Sequence, residues 1–204
     1  MNKSDFIYNW QKNKILLENN HIYNSAHEHS SCGVGLIASL ENKESRKVVE
    51  MGVQALQCLY HRGAVDADGK TGDGAGIQLS IPREFFKDKI ERSGQKPNNF
   101  PFAVGMIFLP RTDFAAQEKS RSIVESEIIK GGFKIYGWRN VPINSDIIGE
   151  KAKSTRPEIE QLLICNEIYK DEIEFDNALY IIRKRIEKEI RKQNISNFYI
   201  CSLS

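Results

Sequence analysis

The stretch of sequence that decides the fold is Ser30-Ser31-Cys32-Gly33-Val34-Gly35-Leu36-Ile37. It joins a polar leader, residues 1–31, to a glycine-rich apolar segment typical of the start of a folded domain. A thiol at this boundary suggests a residue that becomes the N-terminus when the leader is removed. The α-amine of an N-terminal cysteine can accept the thiol proton, so one residue supplies nucleophile and base. On these residues alone, a structural cysteine in a strand stays the alternative.

The composition is that of an ordinary globular protein. The 204 residues suffice for one domain or a large part of one, and 29 basic against 27 acidic residues leave a net charge of +2. This near balance gives no support for a nucleic-acid or anionic-membrane surface. The chain also lacks an apolar run of about 20 residues, and the leader lacks the apolar segment of a signal peptide. We therefore expect a cytoplasmic protein without nucleic-acid or membrane partners.

The cysteines and histidines offer a weak case for a metal. Cys58, Cys165 and Cys201 lie in apolar stretches without a C-x-x-C spacing, so we expect buried, reduced thiols. His27, His29 and Cys32 form an H-x-H-x-x-C cluster that could hold zinc or copper. No fourth ligand is evident nearby. We predict no metal site, and a metal-binding leader stays the alternative to a solvated one.

Strand-like and helix-like segments alternate along the chain. Apolar runs predict strands over residues 33–40, 77–81, 102–109, 133–138, 158–165 and 197–203. Helical periodicity and capping residues predict helices over residues 5–17, 46–60, 83–92 and 113–131, and a last helix capped by Asp176. The charged run over residues 183–192 is interpreted as a solvated helix face. This order predicts a mixed α/β or α+β architecture.

Two further segments could carry chemistry. In Tyr60-His61-Arg62-Gly63-Ala64, Arg62 could pair with a carboxylate or orient a backbone carbonyl near the thiol. The alternative is a basic pair that interacts with the dipole at a helix end. The turn Thr71-Gly72-Asp73-Gly74-Ala75-Gly76 lacks the spacing and the lysine of a phosphate-binding loop. Its glycines more simply allow two backbones to approach closely, with Asp73 tying the turn down.

The ordered set of motifs resembles the glutaminase domain at the start of the glutamate synthase large subunit. The matching stretches include Cys32-Gly33-Val34-Gly35-Leu36-Ile37-Ala38, His61-Arg62-Gly63-Ala64, Gly72-Asp73-Gly74-Ala75-Gly76 and Gly137-Trp138-Arg139-Asn140-Val141-Pro142. The resemblance implies a class II glutamine amidotransferase with the N-terminal-nucleophile hydrolase fold, two antiparallel sheets between helical layers (αββα). It implies a leader over residues 1–31 and the N-terminal part of the amidotransferase domain over residues 32–204.

The resemblance also implies the reaction. Glutamine is hydrolysed through a cysteinyl thioester, and the ammonia serves reductive amination of 2-oxoglutarate elsewhere in the full enzyme. The expected partners are the remaining synthase domains, with a small NADPH-oxidising subunit left open. No cofactor is expected in this chain, whereas FMN and an iron–sulfur cluster are implied for the full-length enzyme. The implied nucleophile is Cys32, and the implied pocket-supporting residues are Arg62, Gly63, Asp73, Gly74 and Gly76.

One part of the family pattern is not matched. The Asn-Gly pair of the family's oxyanion hole has no counterpart in residues 1–204, so we expect an incomplete sandwich that is inactive by itself. The alternative function is therefore a non-catalytic fragment or interaction module that keeps the amidotransferase scaffold.

Overall fold

A computed structural model of the chain describes residues 3–20, 33–41, 43–60 and 63–204. The chain divides into two compact units, residues 1–63 and residues 64–204. Unit 1 contains the helices α1 (Lys3–Asn20) and α2 (Arg46–Cys58). The helices of unit 2 are α3 (Arg83–Arg92), α4 (Phe114–Lys130), α5 (Glu150–Thr155) and α6 (Glu172–Lys192), with a short 3-10 helix at Ser145–Ile147. Its strands are β1 (Ala103–Leu109), β2 (Lys134–Asn140), β3 (Glu158–Cys165) and β4 (Tyr199–Leu203).

The sheet of unit 2 is built on two central strands. Its strand order is β2-β3-β1-β4, and each neighbouring pair is antiparallel. The β1–β3 register is regular from Ala103↔Ile164 to Leu109↔Glu158. The outer pairs each contain an irregularity, between Met106 and Ile107 against β4 and between Ile135 and Gly137 against β3. The mixed α/β architecture with an antiparallel sheet is thereby confirmed.

The two faces of the sheet bury different sets of side chains, because neighbouring residues of a strand point to opposite sides. The larger core joins one face to α4 and α6 and contains fully buried residues that include Ile107, Ile128, Leu162, Ile164, Leu179 and Ile186. The smaller core joins the other face to α3 and contains Phe86, Ile90, Phe102, Val104, Tyr136, Leu163 and Cys165. The central strands are therefore deeply buried on the face toward α4 and α6, whereas on the other face Val104, Leu163 and Cys165 are buried and the side chains nearer the opposite end are half-buried.

Helix caps follow the chemistry expected of them, with one correction. Ser45 accepts a hydrogen bond from the Val48 N–H at the start of α2, and Asp113 accepts one from Ala116 at the start of α4. The cap predicted for the last helix was wrong. Asp171, not Asp176, accepts the N–H groups of residues 173 and 174, so α6 begins five residues earlier than predicted.

Two predicted strands are absent at their predicted positions. Residues 33–39 and 74–80 carry no regular secondary structure, and Val34 and Leu36 are each more than 90% exposed. An extended segment becomes a strand only when its backbone pairs, and no ladder among the described residues includes either segment. The expectation of buried thiols also fails in part, because Cys165 is buried whereas Cys58 and Cys201 are exposed.

A buried ion pair joins α4 to the sheet. Glu160 of β3 is 3% exposed, and its carboxylate faces the guanidinium of Arg121. Arg121 Nε donates to Glu160 Oε2 at 2.9 Å, and Nη2 donates to Oε1, which makes the pair bidentate. The pKa of Arg121 is raised, chiefly by its hydrogen bond to Glu160. The charge and the two hydrogen bonds of Arg121 therefore compensate for the burial of the Glu160 carboxylate.

We predict that Arg121→Met strongly destabilises the fold. Methionine keeps much of the volume but leaves the Glu160 carboxylate buried without its partner, which should cost about 3–5 kcal/mol. The free energy of unfolding in urea measures this loss. Arg92→Met is the matched control, because its pair with Asp88 is exposed and should contribute less than about 1 kcal/mol. Equal losses in the two variants would contradict the prediction.

Candidate functional site

The glycine-dense turn of unit 2, residues 64–76, is closed by hydrogen bonds of its own backbone. Val65 and Gly72 form an isolated antiparallel bridge. Inside it, the Asp66 N–H donates to Thr71 O at 2.7 Å, and the Gly69 N–H donates to Asp66 O at 2.9 Å. Gly69 has a φ of +68°, a conformation that favours glycine. Residues 65–72 therefore form a tight loop that is closed by hydrogen bonds between its own backbone groups.

Asp68 is the organising side chain inside this loop. Its Oδ1 accepts the N–H groups of Lys70 at 2.9 Å and Thr71 at 2.7 Å. Its Oδ2 accepts the hydroxyl of Thr71 at 2.6 Å. These donors, the Thr71 hydroxyl first, lower the pKa of Asp68 to about 2. The carboxylate therefore remains charged throughout the neutral range and holds the loop closed.

Asp73 joins the two ends of the turn. Its Oδ2 accepts a hydrogen bond from the Ala64 N–H at 3.0 Å, nine residues earlier in the chain. A Cβ on Gly72 would lie 3.4 Å from Ala64 O, so the two backbone segments approach closely here. Gly74, which follows, has a φ of +88°. The sequence-based interpretation that Asp73 ties the turn down agrees with this geometry.

A distant segment meets the same turn. Lys151 of α5 forms an ion pair with Asp66, 85 residues away in the sequence. This bond is the main cause that lowers the pKa of Asp66. A side chain on Gly149 would overlap the Asp68 carboxylate and the Thr71 hydroxyl. Neither Gly149 nor Lys151 was predicted as a site residue from the sequence. The only local signal was a glycine just before a helix, a position where serine, threonine or aspartate is also common.

Four of the six predicted site residues lie among the residues that the structure describes. Asp73, Gly74 and Gly76 lie together on the exposed turn of unit 2. Gly63 lies at the end of unit 1, where its N–H donates to Tyr60 O at 3.2 Å. The predicted nucleophile Cys32 and the predicted support Arg62 fall outside the described residues, as do His27, His29 and His61.

The residue after the predicted nucleophile has a close neighbour. A Cβ on Gly33 would lie 3.2 Å from Cδ1 of Leu59, the residue at the C-terminal end of α2. Such a distance is tighter than ordinary van der Waals contact, so a larger side chain would displace Leu59. The start of the glycine-rich segment therefore lies close to Leu59, which precedes His61 by two residues and Arg62 by three in the sequence.

The part of the chain that the structure describes contains clefts but no cluster of metal ligands. In that part, no three His, Cys, Asp or Glu side chains cluster as metal ligands would. One cleft, of about 350 Å³, is lined by residues that include Gln95, Tyr136 and Cys165, and another, of about 380 Å³, by residues that include Arg111 and Asp146. Neither lining includes a predicted site residue. In the first, burial raises the pKa of Tyr136 to about 12, which keeps the phenol neutral. No helix of this part is both long and apolar enough to cross a bilayer.

A family profile described as glutamine amidotransferases class-II matches residues 32–204. The chain belongs to this family. The match begins at Cys32 and includes every residue predicted for the site. The resemblance to the glutaminase region of the glutamate synthase large subunit, stated from the motifs, is confirmed.

Curated relatives are glutamate synthases. The chain is 52% identical over 199 residues to the glutamate synthase [NADPH] large chain of Azospirillum brasilense, covering 98% of this chain and 13% of the relative. It is 40% identical to ferredoxin-dependent glutamate synthase 2 of Synechocystis sp. and to ferredoxin-dependent glutamate synthase 1 of Arabidopsis thaliana. Those two matches cover 87% of this chain and 11% of each relative. The chain thus spans about one eighth of the first relative.

We predict that Thr71→Val raises the pKa of Asp68 toward its ordinary value, because the variant removes the strongest hydrogen bond to the carboxylate. The carboxyl carbon shift of Asp68, followed by NMR during acid titration, measures this change. Since the folded pKa lies below the ordinary one, the stabilisation by Asp68 is present above about pH 4 and disappears as the pH falls to about 2. Thr112→Val, outside the turn, is the control and should leave the titration of Asp68 unaltered.

Proposed function

We propose that this chain is the glutaminase region of a glutamate synthase and that Cys32 is its nucleophile. The observation that carries the proposal is the family match over residues 32–204, which starts at that cysteine. The glutamate synthases among its relatives support the assignment to this branch of the family. We further propose that residues 1–31 are a leader whose removal makes Cys32 the first residue.

The proposed reaction uses the thiol and the α-amine of the same residue. The amine, with an ordinary pKa of about 7.7–8.0, accepts the proton of the thiol, whose ordinary pKa is about 8.5. The thiolate attacks the side-chain amide carbon of glutamine, and the C–N bond breaks as the amine returns the proton to the leaving nitrogen. Ammonia and a glutamyl thioester result. Water then cleaves the thioester, which releases glutamate and restores the thiol.

The glycine-dense turn is proposed to line the glutamine pocket. Its exposed backbone and small side chains would let substrate approach closely, as the glycines at positions 74 and 76 allow. The bond between Asp73 and the Ala64 N–H keeps this turn in place. Arg62 is proposed to pair with the carboxylate of glutamine or to orient a backbone carbonyl near the thiol. Gly63 is proposed to give the backbone next to Arg62 conformational freedom.

The fold proposed for the whole domain is the αββα sandwich of N-terminal-nucleophile hydrolases. The four-stranded antiparallel sheet, with α4 and α6 on one face, supports this proposal as one sheet and one helical layer. We place the protein in the cytoplasm, with the remaining synthase domains as partners and a small NADPH-oxidising subunit as a further one. FMN and an iron–sulfur cluster are assigned to those other domains, as the similarity to glutamate synthases implies for the full-length enzyme.

We predict that Cys32→Ala in the full-length protein abolishes glutamine-dependent glutamate formation and spares the ammonia-dependent reaction. Loss of the nucleophile should lower the first rate by at least about 10³-fold. Cys58→Ala, which removes another thiol, is the matched control and should leave both rates unchanged. Equal loss of both activities in Cys32→Ala would contradict the division of labour.

We predict that the active full-length protein begins at Cys32. Intact-mass analysis of the purified protein should show the loss of residues 1–31, since only then is the α-amine of Cys32 free to act as the base. An active protein that keeps these residues would contradict the mechanism.

Labelling with a glutamine-mimicking electrophile tests the alternative function. If stoichiometric labelling of Cys32 is not achieved, the non-catalytic scaffold becomes the better description.

A further inference from the structure

We propose that Gly149 and Lys151, at the N-terminal end of α5, are positioning residues that hold the glycine-dense turn in the shape required for glutamine hydrolysis. The inference rests on the proposed function, because the turn is assigned to the glutamine pocket there. Its structural part is independent of that function: a segment about 80 residues away fixes the geometry of residues 64–76.

Gly149 is required by close approach and not by backbone conformation. Its φ is −69° and its ψ is 162°, values that any residue adopts. Yet the position of a Cβ is already filled by the carboxylate of Asp68 and the hydroxyl of Thr71. Asp68 cannot move away cheaply, because three hydrogen bonds from residues 70 and 71 fix it. An added methyl group at position 149 must therefore displace either the loop or α5.

Lys151 holds the loop from the same side. Its ammonium pairs with Asp66, whose own N–H closes the loop by donating to Thr71 O. The lysine side chain is 70% exposed, and an exposed pair of this kind contributes little to overall stability. Its effect is local, because it fixes the orientation of Asp66 at the start of the loop. Loss of the pair should therefore alter the turn without unfolding the domain.

The other end of α5 is attached to the central strands. Arg111, two residues after β1, donates from Nε to Arg156 O at 3.3 Å and from Nη2 to Lys153 O at 3.4 Å. These two carbonyls lie at the C-terminal end of α5, where no intrahelical donor reaches them. Arg156 leads directly into β3. A continuous set of contacts thus runs from β1 and β3 through α5 to Asp66 and Asp68, and along the turn to Asp73.

The test uses Lys151→Met and Gly149→Ala in the full-length protein. Lys153→Met is the matched control, because Lys153 lies on the same helix and pairs with Glu150 of that helix at 2.8 Å. We expect both test variants to speed amide hydrogen exchange across residues 64–76 and to leave exchange in β1 and β3 unchanged. We expect kcat/KM for glutamine to fall about tenfold, with ammonia-dependent activity within about twofold of the parent.

Conservative replacement separates positioning from mere structural support. Lys151→Arg keeps the cation and should restore both the exchange rates and kcat/KM, and Lys153→Met should change neither. Unchanged exchange across the turn in Lys151→Met would overturn the inference, and so would a loosened turn with unaltered glutamine kinetics. Full glutamine-dependent activity in Cys32→Ala would instead remove the proposed function, whereas the exchange measurement would still report whether α5 holds the turn.

Discussion

The pairing of β1 with β3 is the constraint on which the rest of unit 2 depends. These two strands are in regular antiparallel register over seven residue pairs, and each face of the pair contributes side chains to a buried core. Side chains on one face meet α4 and α6, and side chains on the other face meet α3. Among the described residues, the outer strands β2 and β4 pair only with these two. The favourable burial of apolar surface, about 25 cal/mol for each Å², is thus concentrated on the central pair.

The ends of the same two strands also decide where the candidate site lies. Arg111 lies two residues after β1 and Arg156 lies two residues before β3, and the contact between them holds α5 at that end of the sheet. From there α5 reaches the glycine-dense turn. The buried pair between Arg121 and Glu160 secures α4 to β3 in a similar way. Polar contacts at strand ends and an ion pair in the core thus orient elements that apolar packing alone would leave free to slide.

Much of this fold could be predicted from the sequence where the decisive interactions are local. The helix α3 matched its predicted bounds, and β3 did as well, because apolar spacing and flanking breakers are readable within a short window. The strands predicted over residues 33–40 and 77–81 failed because pairing depends on partners far along the chain. Asp176 was a reasonable cap, but Asp171 stands earlier and captures two N–H groups with one carboxylate. The same holds for the candidate site. Asp73 and Gly74 can be predicted from their local motif, whereas the role of Gly149 depends on contacts with a loop that is distant in the sequence.

The long reach between α5 and the glycine-dense turn has a consequence for the order of folding. Asp66 and Lys151 are 85 residues apart, and the sheet strands β1 and β2 lie between them. Bringing such distant groups together costs loop-closure entropy that a single exposed ion pair cannot offset. That entropy is largely spent once β1 and β3 have paired, since their pairing already brings α5 to the sheet. We therefore expect the contact between α5 and the turn that carries Asp73 to form late, after the central strands have met.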